Sequence, residues 1–600
     1  MYARFGGAEH QVESTRGILR RAARESGDLR WRFLAAAGIT LAATMIRLAG
    51  PLVVRYGIDE GVTAGDQQVI ITASVGFFVL LVFQYAATRG ALRSVAAVGE
   101  QFLRRLRERV FRHMLSLDIG FFGRTKTGVL VSRMTSDVEA LTTFVDEGAV
   151  QVLTSALMVV GVAAAMFIVD VQMALVVLAL LPFLLGASIV FRRYADRAYQ
   201  RVRENIGRVL ATVQEGISGV RVVQAYTQQE QQASDFGRVN EQYYEANLAA
   251  ARAISTYFPS VDFLRTVGAA LILFVGGGRV LDGTLSFGSL FAFLLYLTWF
   301  FEPILQLSNV YNLMQAAIAA LDKLFGLLDT KTAVPQAVDG ERIPDAEGRV
   351  GFHGVRFGYD PAIPVIRHLD LEVAPGERVA VVGETGAGKS TVAKLAVRFH
   401  DPDGGSVTLD GADLRQLDER DLRRHVVMVP QEGFLFAGSL RDNLRFARPD
   451  LDDAALWEVC RQIGIADWVN SLPEGLDTEV RERGSRLSSG ERQLVALGRA
   501  LVADPAVIVL DEATSNLDPE TEQRVEVALG TLLEGRTAIV IAHRLATADR
   551  ADRVVVMDHG EVVEVGSPAE LVAAGGVYTA LHEVWEASGS TNGTAPTKPS

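Results

Sequence analysis

The residues best suited to chemistry in this 600-residue chain lie in its second half. The densest group is the run Gly383-Glu384-Thr385-Gly386-Ala387-Gly388-Lys389-Ser390-Thr391. Glycines at this spacing let successive backbone N–H groups close around phosphate oxygens. A helix starting just behind such a loop adds its positive N-terminal end. Lys389 would reach the β- and γ-phosphates of a nucleotide, and the Ser390 hydroxyl would bind Mg²⁺. A second group, Asp511-Glu512, supplies the acids that triphosphate hydrolysis needs. Asp511 suits Mg²⁺, and Glu512 is placed to polarise an attacking water as general base.

Both groups sit where an α/β domain would put them. The apolar run Arg378–Val382 reads as a buried strand feeding the glycine-rich loop, and Lys389 opens the helix that follows. A second strand, Ala506–Leu510, ends at Asp511, and a third, Thr537–Ala542, ends at His543. In open α/β sheets, ligands bind beyond the carboxyl ends of strands, which is where all three groups fall.

Taken in order, the motifs resemble those of an ABC transporter of the exporter fold. The resemblance covers about residues 15–585: a half-transporter with its membrane domain fused ahead of its ATPase domain. It implies ATP and Mg²⁺ as cofactors. It also implies roles for single residues. Tyr359 resembles the aromatic that stacks on adenine. Gly383 to Thr391 resembles the Walker A loop, and Gln431 the glutamine that senses Mg²⁺ and the membrane domain. Thr478 to Gly484 resembles the exporter X-loop. Leu487-Ser488-Ser489-Gly490-Glu491 stands where the family's signature belongs. Ser515-Asn516-Leu517-Asp518 resembles the D-loop, and His543 the switch histidine at the γ-phosphate.

One motif departs from the family's pattern. The usual signature is Leu-Ser-Gly-Gly-Gln; here Ser489 replaces the first glycine and Glu491 the glutamine. Ser488 can still cap a helix through Arg492–Val502, and Ser488-x-x-Glu491 fits a capping box. In the family this helix end binds the γ-phosphate held by the opposite subunit, where a carboxylate is unfavourable unless it folds back onto its own cap. The chain resembles the subunit of a heterodimeric exporter that keeps its catalytic glutamate but donates an imperfect signature. A heterodimer is therefore favoured over a homodimer whose signature has drifted.

The first half is a different kind of polypeptide. Residues 1–330 hold 31 Lys and Arg against 27 Asp and Glu, and residues 331–600 hold 28 against 44. Hydrophobic residues make up 49% of the chain and mean hydropathy is +0.21, which argues against disorder. The net charge of −12 argues against nucleic-acid binding. A single cysteine, Cys460, excludes an intramolecular disulfide.

Six apolar runs, near 33–54, 68–88, 149–169, 171–191, 254–276 and 284–307, predict membrane spans in an all-α domain. Arginines cluster before the first span and after the second and fourth, which puts both termini and the ATPase domain in the cytoplasm. The expected layout is a cytoplasmic segment 1–30, a six-helix domain 31–330, a linker 331–348, an ATP-binding domain 349–585 and a disordered tail 586–600. The polar stretches 89–140 and 192–250 predict helices continuing beyond the bilayer, with coupling helices near 117–124 and 214–222 at their tips.

Arg47, Asp262, Arg265 and Glu302 stand out as charges inside spans. The resulting expectation is an ATP-hydrolysing exporter of a hydrophobic or amphipathic small molecule, drug or lipid, in a bacterial plasma membrane. The alternatives are a siderophore-type importer on the same fold, or a nucleotide-gated channel or regulator.

Overall fold

The computed structural model describes residues 15–25, 27–360, 362–431, 433–511, 519–542 and 545–590. Chain packing separates two units. One holds the described residues up to Met114 together with Gly128–Asp329; the other holds Leu115–Thr127 and the described residues from Thr330 onward.

The first unit is helical. Its long helices are Leu29–Tyr56, Gln67–Leu115, Val150–Val169, Leu181–Ser218, Gln229–Leu271 and Phe287–Asp329. Five helical segments among the described residues are long and apolar enough to cross a membrane, and Phe287–Pro303 is a shorter apolar stretch of a sixth helix. Gln67–Leu115 has 49 residues. At ~1.5 Å per residue it is about 73 Å long, well over the ~30 Å of a hydrocarbon core. Its polar C-terminal half therefore extends beyond the bilayer, as the composition of 89–140 predicts.

The third and fourth spans are joined through a single residue. Val150–Val169 and Val171–Leu178 meet at Asp170 alone, which adopts an extended conformation. Its carboxylate accepts from the Met173 N–H at 2.9 Å and pairs with Arg279 at 2.7 and 3.0 Å. The core of this unit gathers Met158, Val162, Met166, Met173, Val177, Phe293, Tyr296 and Phe300, all at most 2% exposed. The Tyr296 hydroxyl satisfies itself on the Leu48 carbonyl at 2.9 Å, as a buried phenol must.

The second unit is built on one ten-stranded sheet. Its strands are β1 Val350–Phe357, β2 Ile366–Val373, β3 Arg378–Gly383, β4 Gly404–Leu409, β5 Ala412–Asp413, β6 Val426–Val429, β7 Val507–Asp511, β8 Thr537–Ile541, β9 Arg553–Asp558 and β10 Glu561–Gly566. The order across the sheet is β5-β4-β1-β2-β10-β9-β3-β8-β7-β6. β9, β3, β8, β7 and β6 run parallel, while β1, β2, β4 and β5 form an antiparallel wing. Val379, Val381 and Val509 are fully buried, because helices or loops cover both faces of a parallel sheet.

Two boundaries differ from the sequence reading. The C-terminal helix Val577–Ser590 runs into the stretch expected to be disordered from 586. Tyr578 is wholly buried, and Leu581 and Trp585 follow it onto one apolar face, so packing sustains the helix. The second expected tip helix near 214–222 lies later, at Val220–Ala225. Gly216 stays inside the long helix, and the break falls at Gly219. The first tip helix, Ile119–Arg124, lies within its expected window.

Candidate nucleotide site

β3 delivers the chain into a loop only glycine can make. Gly383, Gly386 and Gly388 have φ of 148°, 92° and 103°, a region L-residues rarely adopt. A side chain at Gly383 would collide with the Met557 carbonyl of β9, and a Cβ at Gly388 would lie 2.7 Å from Ile366 Cδ1. The loop is thus pinned between β9 and β2. The helix Lys389–Ala396 follows, and no side chain caps its N-terminus.

Lys389 is 5% exposed, and its ammonium donates to the Gly383 and Glu384 carbonyls at 2.7 and 2.9 Å. It is held over the loop by oxygens of the kind a phosphate would present. The Ala387 N–H donates to Glu384, which tightens the loop between Glu384, Thr385 and Gly386. One helical residue on, the Ser390 hydroxyl donates to the Asp511 carboxylate at 3.5 Å. Asp511 ends β7, one strand away from β3 across β8. A hydroxyl and a carboxylate converging beside a phosphate loop form an all-oxygen donor pair fit for Mg²⁺.

Tyr359 stands at the edge of this loop. Its hydroxyl lies 3.2 Å from the Thr391 hydroxyl, and its ring meets Phe357 and His400 edge-on at 5.1 and 5.3 Å. The Lys394 ammonium sits 5.5 Å from the ring centre. The residue stays 45% exposed, which leaves ring surface for a base to stack on. Sequence reasoning singled out Tyr359 and Thr391 but missed Lys394 and His400. Lys394 lies three residues after Thr391, one turn along the same helix, and that spacing is the signal that could have found it.

Gln431 follows β6 and is exposed. Beside it opens a cavity of about 740 Å³ whose lining includes Arg420, Arg424, Phe434, Phe446 and Arg499. Burial pushes the Arg499 guanidinium below its ordinary pKa. No sequence motif announced this cavity, because its walls come from four separate segments.

The signature segment forms the expected helix, Ser489–Ala503. Ser488 caps it: the Glu491 N–H donates to Ser488 Oγ at 3.2 Å, and the Ser488 N–H donates to the Glu491 carboxylate at 2.7 Å. Ser489 and Gly490 form the first turn between them. Glu512, Asp518 and His543 lie outside the described residues.

A helical unit with apolar spans followed by a phosphate-loop sheet unit is the architecture of a membrane transporter driven by a nucleotide. The family model for the ABC transporter transmembrane region matches residues 33–304, and the ABC transporter model matches residues 366–515. The chain is 34% identical to "Uncharacterized ABC transporter ATP-binding protein YknV" of Bacillus subtilis, covering 90% of each. It is 34% identical to "ATP-dependent lipid A-core flippase" of Syntrophus aciditrophicus, covering 81% of each. A "Multidrug efflux ATP-binding/permease protein" of Mycobacterium bovis matches at 35% over 90% of this chain and 45% of that protein. Among solved structures, a bacterial Atm1-family ABC exporter with ATP bound aligns with a TM-score of 0.76 at 26% identity, covering 92% of this chain and 99% of that one. The chain belongs to the ABC transporter family, as a half-transporter carrying both the transmembrane and the ATP-binding domain.

Proposed function

We propose that the chain is one half of a dimeric exporter that hydrolyses ATP to move a hydrophobic or amphipathic small molecule, drug or lipid out of a bacterial cytoplasm or inner leaflet. The observation that carries this reading is the meeting of Ser390 and Asp511, 3.5 Å apart beside the phosphate loop, in a chain that also holds the apolar spans. In this reading Tyr359 stacks on adenine and the loop Gly383–Thr391 holds the phosphates. Ser390, Asp511 and Gln431 hold Mg²⁺, which when bound neutralises developing phosphate charge. Glu512 takes the proton of the attacking water, and His543 contacts the γ-phosphate. The partner's signature segment closes the site from the other side. ATP favours the closed pair, hydrolysis releases it, and a rigid-body switch carries that change to the membrane helices.

In this reading the termini and the ATP-binding unit face the cytoplasm, which the arginine distribution supports. The partner in this reading is a different half-transporter, because Glu491 brings a negative charge to the signature segment. A symmetric dimer is the second reading. The capping box favours it, since Glu491 turns its carboxylate back onto the Ser488 N–H.

The test is ATPase activity and oligomeric mass of the chain purified alone, alongside Glu512→Gln. A silent chain revived by co-expression with a neighbouring half-transporter supports the heterodimer. An active dimer silenced by Glu512→Gln supports the symmetric one. Activity that survives Glu512→Gln in either setting overturns the assigned chemistry.

A further inference from the structure

Among the described residues, the ion pairs Asp170–Arg279, Asp262–Arg265 and Arg47–Glu302, in or beside the apolar helices, are built differently. Asp170–Arg279 has two short contacts, with side chains only 17% and 20% exposed. Asp262–Arg265 lies within one helix, three residues apart, with two guanidinium nitrogens on one oxygen at 3.0 and 2.7 Å. Both pairs are self-contained. Arg47–Glu302 joins two helices through a single contact of 3.3 Å, and its side chains are 32% and 50% exposed. The Arg47 guanidinium also lies 5.2 Å over the ring of Trp299. The indole edge packs at Gly50, where a Cβ would make ordinary contact at 3.6 Å.

Depth makes the open pair costly. Arg47 is about 15 Å of helix from Gly57, where the first span turns, and Glu302 about 22 Å from Phe287, so both fall within a ~30 Å hydrocarbon layer. An exposed carboxylate does not face lipid there. Its neighbours agree: Thr298 and Gln306 lie four residues to either side on the same helix face, and Gln306 accepts from the Gln151 amide. The residues Thr298, Glu302 and Gln306 thus form a polar stripe on an otherwise apolar helix.

Building on the exporter reading, we propose that Glu302 and Trp299 form the cargo site's cage for an organic cation carrying apolar bulk, and that Arg47 occupies this cage as an internal stand-in until cargo displaces it. A carboxylate beside an aromatic face is a complete receptor for a delocalised or quaternary cation. The guanidinium now in place shows the geometry accepts one. The sign of the charge is decided by what displacement leaves behind. A cation that removes Arg47 frees a long, flexible side chain whose head can reach along the polar stripe. An anion that removes Glu302 strands a carboxylate on a shorter stem and meets an indole face that repels it.

The probes are tetraphenylphosphonium and tetraphenylborate, equal in size and opposite in charge. Binding to the assembled transporter in nanodiscs is measured without nucleotide, with empty nanodiscs subtracted and thermal unfolding as the check on folding. The expected result is that the phosphonium binds at least about tenfold more tightly than the borate. Glu302→Gln lowers phosphonium affinity about tenfold, and Trp299→Leu lowers it by a smaller factor. Arg47→Gln raises it several-fold, by removing the internal competitor. Equal binding of the two ions, or weaker phosphonium binding by a folded Arg47→Gln variant, overturns the proposal. ATP-driven uptake into inverted vesicles separates this from the exporter reading. Binding as expected without uptake removes export and leaves the cage standing. Uptake of a neutral amphipath without selective phosphonium binding removes the cage alone.

Discussion

Two helix N-termini that the sequence aims at nucleotide are built in opposite ways. The helix Lys389–Ala396 starts at Gly388, in a left-handed conformation with no side chain capping it. The helix Ser489–Ala503 starts at Ser488 inside a closed capping box, whose glutamate returns a carboxylate to its own backbone. Both ends carry the same partial positive charge. The first leaves that charge for an external anion. The second already holds an internal one. Helix dipole alone therefore does not make a phosphate site; what matters is how much of the end the chain has satisfied for itself.

The largest expected effect comes from filling the open end. Gly388→Ala puts a Cβ 2.7 Å from Ile366 Cδ1 at a φ of 103°. Strain of this kind costs about 1–3 kcal/mol. The loop must shift, and ATP affinity measured with a fluorescent analogue should fall about a hundredfold or more. Lys389→Ala should lose a comparable factor without straining the backbone. Near-native affinity in both would mean the loop does not hold phosphate.

The next effect comes from opening the closed end. Glu491→Gln keeps a residue that can close the box but removes the charge. Turnover with saturating partner should rise about two- to fivefold, while the helix loses about 0.3–1 kcal/mol of dipole stabilisation. Unchanged or lower turnover would show that this carboxylate does not face the partner's nucleotide. A built-in control is Ser567–Glu570, the same reciprocal box at the start of Pro568–Ala574. Glu570→Gln should leave turnover alone, so a parallel rise there would sink the argument from position.

The same contrast explains what was legible in the sequence. The phosphate loop could be read because Gly383, Gly386 and Gly388 are demanded by backbone conformation, and such demands survive in local spacing. The capping box could be read for the same reason. Apolar spans could be read because length against bilayer thickness is a one-dimensional test. Contacts between distant segments could not be read that way. Arg47 and Glu302 each stood out as an intramembrane charge, but 255 residues separate them, and their meeting over Trp299 exists only in the packed helices. His400 carries no motif; it matters because folding places it against Tyr359 and Gly120. The helix Val577–Ser590 continues past its apolar stripe Tyr578–Leu581–Trp585, and that continuation has no signal in the spacing of apolar residues.

A third helix end sharpens the comparison and carries the smallest expected effect. Ile119–Arg124 is capped by Asp118, whose carboxylate accepts from the Phe121 N–H at 3.0 Å and from the Ala333 N–H at 2.8 Å. Burial pushes this carboxyl up, but those two N–H donors outweigh it and hold it below its ordinary 3.8. His400 lies alongside, its ring carbon 3.2 Å from where a Gly120 Cβ would be. Burial, then the Lys394 ammonium, push the imidazole below 6.5; Arg124 adds to that push, while Asp118 and Asp401 oppose it.

In both groups the folded state prefers the deprotonated form. Each therefore contributes stability above its unfolded pKa and loses it as pH falls through the folded one. Acidification should loosen this corner in two stages, the first below about 6.5 from His400 and the second below about 3.9 from Asp118. Amide exchange of Ala333 and Phe121 in the whole 600-residue chain reads both stages. His400→Phe should remove the first and leave the second. Asp118→Asn should remove the second and cost about 1 kcal/mol of cap at neutral pH. A single stage that survives both substitutions would mean that this helix end is held by packing, and that its cap, unlike the other two ends, plays no electrostatic part.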